Sequence, residues 1–257
     1  MKQADIVFHT ETSNLVFVFE KAISKNQKEI LMSIFITRAL TLFFLWGVFI
    51  LSDSIYAESS SPDLPDPYNN IELLPFDGHG WYSNANQISQ LINANHVKTV
   101  IEVGSWMGLS TRHIASLLPE GGKVYAIDHW LGSKEHQPRK FAYHPTLPQL
   151  YQQFLSNVVH AGLTNKIIPI RMDSVAAASH LTAILTNPPD LVYIDAGHDT
   201  KSVYDDLCAY YPLIQENGIL CGDDWGWKSV QIAVRRFAKK NHLKIHASGH
   251  FWCLTDR

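Results

Sequence analysis

The sequence predicts an α/β fold: a doubly wound, mostly parallel, Rossmann-like sheet of about seven strands with an antiparallel C-terminal edge. Two observations lead to this prediction. From residue 98 onward, short apolar runs rich in β-branched residues alternate with segments of helical spacing, which is typical of a parallel sheet covered by helices. The last two apolar runs follow each other without an intervening helix, so they predict an antiparallel hairpin at the edge.

The predicted elements follow one another in a regular order. The strands are expected at 98–103, 123–128, 166–171, 190–195, 218–222, 243–246 and 251–254. The helices are expected at 109–118, 149–161, 175–185, from shortly after residue 198 to about 215, and at 228–240.

The composition fits one such domain with additional sequence. The chain has 257 residues, of which 46% are hydrophobic and 18% charged, as in an ordinary globular protein. Its formal net charge of −3 gives no reason to expect a nucleic-acid partner, and favours a small molecule instead. The three cysteines lack the spacing of a zinc site, and two of them, Cys221 and Cys253, lie in apolar runs where we expect buried thiols.

An apolar segment without charged residues lies near the N-terminus, at 39–51. It is shorter than the about 20 residues that span a membrane, and it fits a signal peptide with a cleavage site near 54–57. A membrane anchor over 34–51 is the alternative. A buried core helix is a third interpretation, less favoured because a Ser-, Pro- and Asp-rich stretch follows. The flanking charges place the domain outside the cytoplasm in either of the first two cases, exported or membrane-anchored.

These features predict four regions. We expect an N-terminal extension at 1–31 that is not part of the mature protein, a signal peptide or anchor at 32–57, a linker at 58–70, and the α/β domain at 71–257.

Glycines and an acid follow the first two strands of the domain. Gly104 and Gly108 permit a tight turn into a helix whose free N–H groups would face a ligand. Their spacing is not the GxGxxG of dinucleotide-binding folds, which counts against NAD. Asp128 ends the second strand, where a carboxylate can accept both ribose hydroxyls of a nucleoside, and a turn or helix-cap residue is the less favoured alternative.

Asp173 and Ser174 follow the third strand. The Asp173 carboxylate could accept the exocyclic amine of an adenine, or it could be the N-cap of the next helix. The sequence does not decide between these two roles.

Three acids follow the fourth and fifth strands. Asp195, Asp223 and Asp224 should meet at one edge of the sheet, where their repulsion favours a bound cation such as Mg²⁺. His198 lies three residues after Asp195 and could take a proton from a substrate hydroxyl. The alternative is that the acids cap helices and that His198 is a surface residue. His250 is interpreted as a surface or edge-strand histidine.

Together these motifs resemble class I methyltransferases, and in particular the macrocin O-methyltransferase type, a group of metal-dependent small-molecule O-methyltransferases. The resemblance covers residues 98–257 and implies that S-adenosylmethionine is the cofactor, with a small-molecule hydroxyl as the acceptor. The residues that it assigns to the cofactor are Glu102, Gly104, Ser105, Gly108, Asp128, Asp173 and Ser174. It assigns the metal to Asp195, Asp223 and Asp224 and the role of general base to His198. One position departs from the family's pattern, because Trp106 stands where the common loop has a middle glycine.

Two other functions stay open on the sequence alone. One is an exported metal-dependent hydrolase or hydroxylase-like protein on the same fold, which would need no cytosolic cofactor. The other is a non-catalytic nucleoside-binding module. The predicted export is in tension with a cofactor that is made in the cytosol. Neither the acceptor nor the oligomeric state is predicted.

Overall fold

The computed structural model describes residues 64–133 and 147–255, all of which belong to the second of the two units of the chain, Asp63–Arg257. The predicted extension, the signal or anchor segment and residues 58–63 of the predicted linker therefore lie outside the described residues. In the two described stretches, no helix is both long and apolar enough to cross a membrane.

Seven strands and six α-helices account for most of the described residues. The strands are β1 (Thr99–Val103), β2 (Lys123–Asp128), β3 (Ile167–Arg171), β4 (Leu191–Ile194), β5 (Ile219–Gly222), β6 (Lys244–Ser248) and β7 (Phe251–Thr255). The α-helices are α1 (Ala85–Ala94), α2 (Leu109–Leu117), α3 (Leu150–His160), α4 (Ser174–Ile184), α5 (Thr200–Tyr210) and α6 (Lys228–Lys240). Short 3-10 helices occur at Tyr68–Asn70, Leu147–Gln149 and Tyr211–Leu213.

The strands form one sheet in the order β3-β2-β1-β4-β5-β7-β6. The first five are parallel, whereas β7 runs antiparallel to both of its neighbours. The order reverses between β1 and β4, which is the point where open α/β sheets bind ligands. The predicted fold class, including the antiparallel C-terminal edge, is confirmed.

Helices cover both faces of the sheet. Along β1, Val100 belongs to the core under α1, α2 and α3, whereas Ile101 belongs to the core under α4, α5 and α6. Phe154 of α3 and Phe237 of α6 are buried at the centres of these two layers. Because neither face of the central strands meets water, the strands are apolar at nearly every position.

The chain before β1 also belongs to the domain. The Tyr68 hydroxyl, which lies in the predicted linker 58–70, donates to the carbonyl of Ile167 at 2.9 Å and is buried in the core. Helix α1, which the sequence did not predict, buries Ile88 and Ile92 against the sheet. The intervening residues reach the carboxyl edge of the sheet and contribute to the site described next.

The C-terminal hairpin closes the sheet beside β5. Trp252 of β7 is fully buried, and its indole N–H donates to the carbonyl of Asp223 at 2.7 Å. Cys221 and Cys253 face each other across β5 and β7, and both are buried free thiols. This confirms the prediction of core cysteines, while Cys208 is exposed.

Candidate active site

A cavity of about 910 Å³ opens at the carboxyl ends of β1 to β5. Its wall includes residues at the ends of these strands and in the loops that follow them, namely Gly104, Ser105, Trp106, Asp128, His129, Met172, Asp173, Ser174, Asp195, His198, Asp223 and Asp224. The topology thus brings nearly all of the predicted site residues into one space, because parallel strands end at the same edge.

The turn after β1 is built on two glycines with left-handed backbone. Gly104 has φ +95°, and a Cβ there would overlap the carbonyl oxygen of Asp195. This close approach places the turn directly against the end of β4. Gly108, with φ +80°, is the N-cap of α2 and offers no side chain to its first N–H groups. Those N–H groups therefore stay available to a ligand.

Glu102 supports this turn from behind. Its side chain is fully buried and accepts a hydrogen bond from the Thr111 hydroxyl. Glu102 is not among the described residues that line the cavity. Burial raises the pKa of Glu102 to about 7, although the hydroxyls of Ser110, Thr111 and Ser105 oppose the shift. Glu102 therefore stabilises the turn, and a direct contact between Glu102 and a cofactor stays a prediction.

Asp128 connects two loops of the cavity. One carboxylate oxygen accepts the N–H of Trp106 at 3.0 Å, and the other accepts the N–H of Trp130 at 2.7 Å. The Trp130 indole in turn donates to the carbonyl of Trp106 at 2.7 Å. Burial raises the pKa of Asp128, while these backbone donors lower it. The alternative of a turn residue is thus correct, and the side chain also faces the cavity as ribose binding requires.

Asp173 is the N-cap of α4, accepting the N–H groups of Val175 at 3.1 Å and Ala176 at 3.4 Å. The capping alternative is confirmed, and Asp173 lines the cavity as well. The hydroxyl of Ser174 donates to Asp206 at 2.5 Å. The sequence reasoning missed Asp206, a buried acid of α5 whose pKa is raised to about 7, chiefly by burial.

The three predicted acids lie together at the ends of β4 and β5. Asp223 is buried, and it accepts the N–H of Asp224 at 2.6 Å and the hydroxyl of Tyr193 at 3.3 Å. Burial and the neighbouring carboxylates raise the pKa of both Asp195 and Asp223. Ligand atoms of Asp223, Asp224 and His250 lie within 4.8 Å of one another, and Asp195 is outside this tight group.

His198 lies beside the acids, as predicted. Its Nε2 is 2.8 Å from a carboxylate oxygen of Asp224, and its ring stacks on Trp227 with centroids 4.9 Å apart. The carboxylate and the indole therefore fix the ring from two sides. This places an imidazole in the cavity, next to the acidic group.

The sequence reasoning also missed the segment before α1. Trp81, 64% exposed, lines the cavity 5.7 Å from the ring of Trp106, and Tyr82 follows it. The adjacent aromatic residues at 81–82 were the available signal, but no periodic pattern connected them with the sheet.

Comparisons with known proteins agree with this geometry. A family profile described as a methyltransferase domain matches residues 101–225, from β1 to the acids after β5. No curated protein sequence matches the chain significantly.

Several solved structures have the same fold. The chain is similar to an O-methyltransferase from Bacillus cereus in complex with S-adenosylhomocysteine, at 14% identity and TM-score 0.51, covering 79% of this chain and 90% of that one. It is also similar to the O-methyltransferase TomG of tomaymycin synthesis from Streptomyces achromogenes, solved with S-adenosylmethionine, at 14% identity and TM-score 0.51, covering 70% and 83%. A candidate caffeoyl-CoA O-methyltransferase from Staphylococcus aureus matches at 16% identity and TM-score 0.52, covering 84% and 99%. The profile thus identifies residues 101–225 as a methyltransferase domain, and the sheet order and the glycine turn agree with the S-adenosylmethionine-dependent class I type.

Proposed function

We propose that the domain transfers a methyl group from S-adenosylmethionine to a hydroxyl of a small molecule, assisted by a divalent cation such as Mg²⁺. One observation supports this most strongly: the glycine turn, the acidic group and His198 line a single cavity. A cofactor at the turn and an acceptor at the acids would therefore lie in the same cavity.

The cofactor side of the cavity suits a nucleoside attached to an amino acid. The uncapped start of α2 at Gly108 would receive the carboxylate of the methionine portion. Asp128 would accept the ribose hydroxyls, and Asp173, with Ser174 beside it, would contact the adenine. When bound, S-adenosylmethionine supplies a methyl group on a positively charged sulfur.

The acidic side suits a hard divalent cation. Asp195, Asp223 and Asp224 offer carboxylate oxygens, the ligands that Mg²⁺ prefers, and their mutual repulsion is relieved by a positive ion. These residues would hold the ion, which would supply the Lewis acidity that lowers the pKa of an acceptor hydroxyl.

His198 would take the proton of the acceptor hydroxyl. The acceptor oxygen attacks the methyl carbon, the carbon–sulfur bond breaks, and the sulfur keeps the electron pair. The contacts with Asp224 and Trp227 hold the imidazole in one orientation, so the general base is already positioned before the acceptor binds. The names of the three similar structures, all O-methyltransferases, support a hydroxyl as the acceptor group.

Calorimetric titration of the purified protein with S-adenosylmethionine, with and without Mg²⁺, tests this proposal. We expect micromolar-range binding that Asp128→Ala abolishes, because the carboxylate both accepts the ribose and ties the two loops together. Glu120→Ala, at an exposed turn, is the matched control and should bind like the unmodified protein. Absence of binding by folded protein would overturn the cofactor assignment.

Methyl transfer to a panel of sugars and phenols tests the remaining steps. We expect turnover that needs a divalent cation and that falls by about 10²-fold or more in His198→Ala. Turnover that is unaffected by removing divalent cations would overturn the metal part of the proposal, and full activity of His198→Ala would overturn the assigned base.

A further inference from the structure

We propose that His250 is an additional ligand of the metal ion at Asp223 and Asp224, and that its nitrogen shifts the preference of the site from Mg²⁺ toward ions such as Co²⁺ and Zn²⁺. This inference rests on the metal-assisted reaction proposed above. It changes the expected identity of the ion, which the sequence suggested would be Mg²⁺.

The register of the sheet places His250 opposite the acids. Gly249 and His250 form the two-residue turn between β6 and β7, and Gly249 has the left-handed φ of +62°. Gly222, at the end of β5, pairs with Trp252 in antiparallel register. Asp224 lies two residues after Gly222, and His250 lies two residues before Trp252. In antiparallel register these two residues therefore lie across from each other.

Two hydrogen bonds fix this arrangement on either side of the acids. The N–H of Trp225 donates to the carbonyl of His250 at 2.8 Å, and the indole of Trp252 donates to the carbonyl of Asp223 at 2.7 Å. The His250 ring lies beside Gly226, where there is no side chain to displace it. The hairpin and the turn after β5 are thus connected by one backbone hydrogen bond and one hydrogen bond from an indole.

The distances are close to those of a metal site. Ligand atoms of His250, Asp223 and Asp224 lie within 4.8 Å of one another. Around one ion at about 2.1–2.2 Å, neighbouring ligands are about 3.0–3.5 Å apart and opposite ligands about 4.3 Å apart, so a small shift of the side chains brings the three ligand atoms to one ion. The exposed side chain of His250 can make this shift by rotating within the cavity mouth.

The donor set determines which ion is preferred. Mg²⁺ takes oxygen ligands, whereas an imidazole nitrogen suits Co²⁺, Zn²⁺, Fe²⁺ or Ni²⁺. His198 contacts a carboxylate oxygen of Asp224 at 2.8 Å, as an outer partner that orients a metal-binding carboxylate would. One carboxylate would therefore lie between two imidazoles, of which His250 alone belongs to the close group.

Metal titration of the full-length protein, followed by calorimetry and by the visible absorption of Co²⁺, tests the inference without an activity assay. In His250→Ala and His250→Gln we expect Co²⁺ affinity to fall by about 10- to 100-fold and the absorption bands to change, while Mg²⁺ affinity changes by less than about 3-fold. His246→Ala is the matched control, because His246 lies on the same hairpin and contacts Thr255 rather than the acids.

The outcomes separate this inference from the proposed function. If Co²⁺ binding is lost in Asp223→Asn but is the same in His250→Ala and His246→Ala, then His250 is no ligand and the metal-assisted reaction stands. If the unmodified protein binds neither ion, both proposals about the metal are overturned, whereas S-adenosylmethionine binding is unaffected. Similar losses of Co²⁺ and Mg²⁺ affinity in His250→Ala would overturn the inference that His250 shifts the preference of the site away from Mg²⁺.

Discussion

Replacing Asp206 by asparagine should stabilise the protein above neutral pH, and the gain should disappear at low pH. Asp206 is 2% exposed, and its pKa is raised to about 7, first by burial and then by the charges of neighbouring acids. In the unfolded chain the pKa of an aspartate is about 3.9. Asparagine keeps an oxygen that can accept the hydroxyl of Ser174 but carries no charge at any pH.

The sign of the effect follows from proton linkage. Between pH 3.9 and pH 7 the folded protein holds a proton on Asp206 that the unfolded chain releases, so stability from this group falls as the pH rises through that window. The full difference of about 3 pKa units corresponds to about 4 kcal/mol, and about 3 kcal/mol of it develops between pH 5 and pH 8. The advantage of Asp206→Asn should therefore grow by about 3 kcal/mol over this range.

Urea unfolding at pH 5 and pH 8 measures this difference. With an m-value of about 2 kcal/mol/M, the unfolding midpoint of Asp206→Asn should gain about 1.5 M relative to the unmodified protein on going from pH 5 to pH 8. Asp205→Asn is the matched control on the same helix, where the carboxylate is 39% exposed and paired with Lys201. Such an exposed pair contributes little, so its removal should shift the midpoints only slightly. An equal gain at both pH values would refute the assignment of a protonated Asp206.

Three further substitutions test the packing around the site. Gly104→Ala should lower the free energy of unfolding by about 3 kcal/mol or more and abolish cofactor binding. The reason is that φ is +95° and the new methyl group would overlap the carbonyl of Asp195. Thermal stability equal to that of the unmodified protein would contradict this. Tyr68→Phe removes the bond to Ile167 and should cost about 1 kcal/mol in urea unfolding, whereas no change would show that the segment before β1 contributes little. Phe154→Ala should cost about 3–5 kcal/mol in the same assay, and a loss below about 1 kcal/mol would contradict its place in the core.

Most of the fold could be predicted because both faces of the sheet are covered. A strand buried on two sides is a continuous apolar run, so its limits are visible in the sequence, as for β2 at Lys123–Asp128. Helix α1 at Ala85–Ala94 was missed because its interior is rich in Asn, Gln and Ser and only a narrow stripe, including Ile88 and Ile92, is buried. The helix predicted to end near 215 instead changes to a 3-10 turn at Tyr211–Leu213, where a proline follows Tyr211.

The candidate site could be predicted where residues directly follow parallel strands. Asp128 and Asp195 were assigned to one edge because the topology leaves no other position for the ends of β2 and β4. Asp206 and His250 were not, since they reach the cavity from the middle of a helix and from a hairpin turn. The positions of these two side chains in the cavity depend on helix packing and on strand register. Neither of these can be read from the spacing of residues along the sequence.

Trp106 shows why a departure from the family's loop need not alter the site. The common loop has a glycine at this position, and Trp106 has the left-handed φ of +47° that a glycine adopts without strain. The loop is held by backbone bonds, from the N–H of Trp106 to Asp128 and from the N–H of Gly108 to the carbonyl of Ser105 at 2.7 Å. Because these bonds do not involve the indole, the turn keeps its shape, and the indole instead becomes part of the cavity wall near Trp81. The tryptophan therefore changes the wall of the cavity, while the hydrogen bonds that shape the turn are made by backbone N–H groups.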